Sequence, residues 1–267
     1  MKHLDATLRS FAESNLPTLP QVYTWKLNAS VLQQSFGLTL AGTNGYERTR
    51  ELKRKLAQAW ASSPPPRRTE LADYAVRVWG GVRGNAAKTL QGYVDVVSQG
   101  EVPATHKGIA SWSKVAAFSD PERHAIFDAR VSFSLNAIQW LAKDEAPCWW
   151  FPKLPGRNTH LKEAWPILKE RADAERWTRV GTRETYSSYI QLLEQTAGPL
   201  GVDIGDIEML LFAKATELAN LVRPAARPGS TPCRCSCCRR PRKPVASAAH
   251  RSHTRAPPRG AHRRPTA

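Results

Sequence analysis

Apolar residues recur at intervals of three and four along nearly every segment of this chain long enough to form an element, and that spacing constrains the fold more than any single motif. Leu4, Leu8 and Phe11 share one face of a helix between Leu4 and Glu13. From Leu16 to Gly45, prolines and glycines interrupt the pattern and leave room for one short helix near Val31 to Phe36. Tyr46 to Ala61 turns Leu52, Leu56 and Trp60 inward and Arg48, Arg50, Lys53, Arg54 and Lys55 outward. The three consecutive prolines in Ser62 to Arg68 read as a stiff connector. Glu70 to Trp79 puts Leu71, Tyr74, Ala75 and Val78 on a buried face and stops at Gly80-Gly81. Asn85 is placed to cap the next helix, whose inner face is Leu90, Tyr93, Val94 and Val97. Pro147 to Asn158 has no helical period, and three more helices are expected at His160 to Trp177, Thr182 to Gly198 and Asp203 to Leu221. No alternating strand pattern rivals these, so the predicted class is all-α, with roughly eight or nine helices.

The apolar pattern stops at Val222. From Arg223 onward the chain has twelve Lys or Arg and no Asp or Glu, and it holds eight of the twenty prolines. Such a segment cannot bury enough apolar surface to offset the entropy of ordering, so residues 223–267 are expected to be a disordered basic tail beside a helical domain of residues 1–222. The tail carries most of the net charge of +16, and the pI of about 10.1 is therefore weak evidence for nucleic-acid binding by the folded part. Four of the five cysteines lie in the tail run CRCSCC, which lacks the second ligand pair of a zinc site. Cys148 reads as a packed thiol. No apolar run approaches the ~18 residues of a membrane span, so a soluble cytoplasmic protein is expected.

Chemistry concentrates between Gly108 and Asn136. Ile109, Trp112, Val115 and Ala116 form a helical stripe that leaves Lys114 on the opposite side, toward water or a cleft. Ser119-Asp120-Pro121 marks a turn. Asp128 precedes Val131, Leu135, Ile138 and Ala142, the position of an N-cap. A lysine and a carboxylate are thus expected at neighbouring helix ends. On spacing alone they read as a solvent lysine and an ordinary cap.

Ser113-Lys114-Val115-Ala116, followed by Asp120-Pro121 and Ala125-Ile126-Phe127-Asp128, resembles the helix-hairpin-helix DNA glycosylases of the 8-oxoguanine branch. Trp79 to Asn85, WGGVRGN, resembles a segment of bacterial proteins of the same fold. The likeness is specific over about thirty residues and differs in two respects: Ala110-Ser111-Trp112 stands where the family has a Gly-x-Gly turn, and Lys114 and Asp128 are closer in sequence than in the best-known members. The resemblance implies a helix-hairpin-helix glycosylase fold, with Lys114 as the nucleophile at C1′ of a flipped-out nucleotide and Asp128 as its assistant. It implies that a damaged purine such as 8-oxoguanine is excised from DNA by a monomer without cofactor or metal, at the bacterial nucleoid. Phosphate contacts are then expected from Ser111, Ser113, Arg83 and Arg130, with Lys107 and Arg157 as further candidates. An extruded base is stacked between flat side chains, for which Trp112, Phe127, Trp150 and Phe151 are candidates, with Trp149 beside them. A non-catalytic DNA-binding module that keeps the fold fits the same residues, as does a divergent protein in which the helix pair only supports a core.

Other reaction classes have no motif. The chain has no G-x-x-x-x-G-K-[ST], H-E-x-x-H or G-x-S-x-G, and its histidines lack metal spacing.

Overall fold

A computed structural model describes residues 2–142 and 148–223; the predicted tail from Pro224 onward, its four cysteines and Pro147 lie outside the described residues. The described residues are mostly helical: α1 Lys2–Asn15, α2 Leu19–Val22 after a 3-10 turn, α3 Ala29–Phe36, α4 Gly45–Ser62, α5 Pro65–Asp73, α6 Ala87–Ser98, α7 Ile109–Ser119, α8 Ala129–Ala142, α9 Thr159–Ala174, α10 Thr185–Leu200 and α11 Ile204–Val222. Local chemistry sets many of the starts. Asn28, Asn44 and Asn158 accept backbone N–H bonds at the first turns of α3, α4 and α9, and Asp203 with Asp206 forms a capping box on α11.

Three expectations change. The prolines of Ser62 to Arg68 start a helix instead of spacing two: Pro64 is the cap of α5 and Pro65 and Pro66 occupy its first two positions, where a missing N–H costs nothing. The helix from Glu70 does not keep an α period. It passes into a π-helical stretch, Tyr74–Trp79, whose wider turn rotates Val76 and Trp79 inward and leaves Val78 exposed. Asn85 does not cap α6; its amide donates instead to the Ser111 hydroxyl on α7 at 2.9 Å.

Residues 149–151 hold the one strand pairing among the described residues. β1, Trp149–Trp150, pairs in parallel with β2, Thr178–Arg179. The other edge is held by α8. Gln139 bonds both the N–H and the C=O of Trp149, and Asn136 bonds both backbone groups of Phe151. Two buried amides thus substitute for a third strand, satisfying backbone groups that would otherwise be orphaned in the core.

The core falls into two apolar clusters. One joins α1 to α8, α9, α10 and α11; the other joins α3 to α6 with the π-helical stretch. Helix α7 belongs to both. Ile109 and Trp112 pack into the first cluster, and Val115 to Phe118 into the second. That shared position makes α7 buried almost all round, including its polar residues Ser111, Ser113 and Lys114.

Candidate active site

Lys114 is the polar residue for which this burial is hardest to explain structurally. Only 4% of it is exposed, yet it forms part of the wall of a cleft of about 780 Å³. Its approach depends on Gly80, which ends the π-helical stretch. A Cβ on Gly80 would lie 2.6 Å from Cε and 2.7 Å from Cδ of Lys114, so the lysine stem lies directly over a bare glycine. Its ammonium donates to the Ala110 carbonyl one turn back, at 2.5 Å. Burial lowers the amine's pKa below the usual lysine value, opposed by the charges of Asp128 and Glu208 and assisted by Lys53. Of the two surroundings expected for Lys114, water or a cleft, the side chain meets the cleft.

Asp128 is a helix cap. One carboxylate oxygen accepts from the backbone N–H of Arg130 at 2.9 Å and of Val131 at 3.1 Å, starting α8. The half-buried side chain also lines the cleft. Cap and cleft carboxylate are thus the same group; it shares the cleft wall with Lys114 but makes no ion pair with it. In the turn from Asp120 to Phe127, Ser113 Oγ accepts from the Phe127 N–H at 3.1 Å, tying the end of the turn to α7.

The remaining sequence-based site residues divide sharply. Arg130 lines the cleft, with its guanidinium 4.6 Å above the Phe212 ring and making no ion pair with Asp128. Arg83 is exposed but lies off the cleft lining. The Ser111 and Ser113 hydroxyls are buried and committed to Asn85 and Phe127, so neither presents a phosphate contact; the fold needs them as internal acceptors. Trp112, Phe127 and Phe151 are fully buried, packed against Tyr186, Tyr189 and one another, and none reaches the cleft. Trp150 is half-buried and lies edge-on to Trp165 and Trp177, away from the lining. Trp112, Phe127 and Phe151 are thus core aromatics: Trp112 sits on a helix buried almost all round, and Phe127 and Phe151 lie in connecting segments enclosed by the core.

The cleft has other aromatics, Trp25, Trp165 and Phe212, brought together from before α3, from α9 and from α11. Arg130, Lys153, Arg157 and Lys162 stand around it, and Asp128 is its sole carboxylate among the described lining residues. Arg157 also bonds the Gly81 carbonyl at 2.9 Å, linking the loop after β1 to the loop after the π-helical stretch across the rim. Trp25, Phe212 and Gly80 carried no local signal of a site: each is a common residue in an apolar or turn context, and only the tertiary fold gathers them.

Among the described residues no group of His, Cys, Asp and Glu is arranged to hold a metal, and no helix is long and apolar enough to cross a membrane. The chain matches no protein-family model, no curated protein and no solved structure.

Proposed function

We propose that the chain is a helix-hairpin-helix DNA glycosylase of the 8-oxoguanine type, with Lys114 as nucleophile and Asp128 as its assistant. The observation that carries this reading is a lysine amine buried on the wall of a large basic cleft that a carboxylate fixed as a helix cap also lines. A buried amine loses its proton more readily than a solvated one, which is the first requirement of an amine nucleophile. The four cations around the mouth suit a phosphate backbone, and Trp25, Trp165 and Phe212 offer flat surfaces for an extruded base.

In this reading the unprotonated Nζ of Lys114 forms a bond to C1′ of the extruded nucleotide as the C1′–base bond breaks, with its electron pair leaving on the base. Asp128 stabilises the positive charge that develops on the sugar and takes the proton released from the attacking nitrogen. Opening of the sugar ring leaves an iminium between Nζ and C1′, which hydride can reduce to a stable amine.

Borohydride trapping on duplex DNA containing 8-oxoguanine tests the reading. The expected result is a covalent adduct that needs both the lesion and Lys114 and disappears in Lys114→Ala. DNA binding with no adduct and no free base, across a panel of lesions, refutes the catalytic reading and leaves a non-catalytic DNA-binding module on this fold.

A further inference from the structure

The large cleft does not end at its aromatic wall. Trp25, Arg130 and Phe212 also line a second cavity of about 380 Å³, whose remaining walls are Val22, Thr24, Lys26 and Ala213. The two spaces therefore share a partition made of one tryptophan, one phenylalanine and one arginine. The reaction above uses only the first of them.

The partition is firmly seated. After α2 the chain leaves the helix, and its side chains alternate: Tyr23 is buried, Thr24 and Lys26 are exposed, and Trp25 is half-buried between them. This stretch lies on Gly45, the first residue of α4, where a Cβ would meet the Tyr23 carbonyl oxygen at 2.7 Å and the Trp25 carbonyl oxygen at 3.2 Å. The Trp25 ring stands edge-on to Phe212 at 5.3 Å and packs on Trp79 at 5.8 Å. Arg130 completes the partition, 4.6 Å above Phe212. Its backbone N–H is held by Asp128, but its guanidinium has no hydrogen bond or ion pair among the described residues. Its N–H donors are thus unfilled at the point where the two spaces meet. Charge indicates what fills them. Lys26 and Arg130 are the charged residues of the second space, which has no carboxylate among its described lining residues. Lys153, Arg157 and Lys162 stand around the first, with Asp128 alone opposing them. A run of cations across both spaces suits a polymer with an anion at every linkage, and a guanidinium fork matches the paired oxygens of a phosphate.

We propose that the second space is a subsite for the nucleotide next to the extruded one, with Arg130 gripping the phosphate that joins the two and Lys26 gripping the next phosphate of the same strand. The proposal rests on the cleft being a DNA site and adds a direction to it. Arg130 is common to both spaces and Lys26 lines the second alone, so the strand leaves the Lys114 cleft past Arg130 and then past Lys26. Trp25 gives both nucleotides a flat wall.

The test locates each contact on the strand. The full chain is titrated, over a salt series, with duplexes that carry one tetrahydrofuran abasic site and one neutral methylphosphonate, moved linkage by linkage along the lesion strand. Arg130→Ala and Lys26→Ala are each expected to weaken binding several-fold and to reduce the salt slope by about one. In Arg130→Ala, the methylphosphonate adjoining the lesion on one side costs no further affinity; in Lys26→Ala, the same holds for the next linkage on that side. Lys88→Ala, an exposed lysine on α6 outside both linings, couples to no linkage. Lys26 is exposed, so its variant carries the test alone if Arg130→Ala fails to fold. Lesion binding in which Lys26 couples to no linkage, or in which the two couplings fall on opposite sides of the lesion, overturns the subsite and leaves the glycosylase reading standing. Both couplings in a protein that forms no adduct on any lesion sustain the subsite while refuting catalysis. A wild-type protein indifferent to the abasic site and to every methylphosphonate overturns both.

Discussion

Gly80→Ala isolates the one contact on which the placement of Lys114 depends. The added methyl would sit 2.6 and 2.7 Å from two carbons of the lysine stem and 2.9 Å from the Ala75 carbonyl oxygen. All three lie inside normal contact. The lysine stem is the flexible neighbour and gives first, while the clash with the π-helical carbonyl is relieved only by a shift of Gly80 itself. Gly80 has φ of −81° and ψ of −12°, so alanine meets no backbone strain there and gains about 0.4–1 kcal/mol through the unfolded chain. Overpacking of a filled interior costs about 1–3 kcal/mol. The net loss is on the order of 0–2.5 kcal/mol, a fall in Tm of roughly 0–10 °C for a chain of this size. The effect on chemistry is larger: displacing a catalytic group by about 1 Å costs roughly a hundredfold in rate. Gly84→Ala, in the same loop with open space around its Cβ position, is the control. Thermal unfolding and borohydride trapping rates are measured on wild type and both variants. A Gly80→Ala protein that traps at the wild-type rate refutes the claim that this glycine positions the lysine. A Gly84→Ala protein as impaired as Gly80→Ala would show that the loop, and not the contact, is responsible.

Three further outcomes are expected. Ser113→Ala leaves the buried Phe127 N–H without its acceptor and lowers stability by about 1–3 kcal/mol in urea unfolding, a loss that an exposed phosphate-contacting serine would not show. Asp128→Ala loses both cap and charge, at about 1 kcal/mol for the cap, whereas Asp128→Asn keeps an acceptor for Arg130 and Val131; trapping abolished in both with stability lost only in the first separates the two roles. Burial lowers the pKa of His124 below its usual 6.5, so the unfolded chain binds a proton more readily than the folded one. That group costs nothing well above pH 6.5 and lowers stability as pH falls below it, and His124→Gln should flatten the dependence of urea midpoint on pH in that window.

The helices were legible because a buried stripe needs side chains at three- and four-residue spacing wherever a helix meets a core, and most of these helices meet one. Asp128 was legible for a related reason: a cap is a local rule, satisfied by backbone groups two and three residues away. The π-helical stretch was not, since its extra residue per turn leaves the apolar composition unchanged and only re-aims it, as Val78 and Val76 show. Lys53 stands among Arg48, Arg50, Arg54 and Lys55 with nothing local to distinguish it; what turns it inward is a glutamate on the last helix. The aromatic candidates failed in the opposite direction. Trp112, Phe127 and Phe151 are conspicuous in sequence because they are large, and large apolar side chains fill cores before they line clefts.

Helix α1 packs on α8 and α10, so it finds its cover in elements far along the sequence from it. Leu4 and Leu8 are fully enclosed in the finished protein, and α10 begins at Thr185. At about 5–20 residues per second, roughly 10–40 s of translation separate α1 from α10, and for that time the helix lacks part of its cover. The middle cluster, from Leu32 to Ile126, is sequence-local and can close during that time. The nascent chain is therefore expected to carry a closed middle cluster while the apolar face of α1 is still partly uncovered.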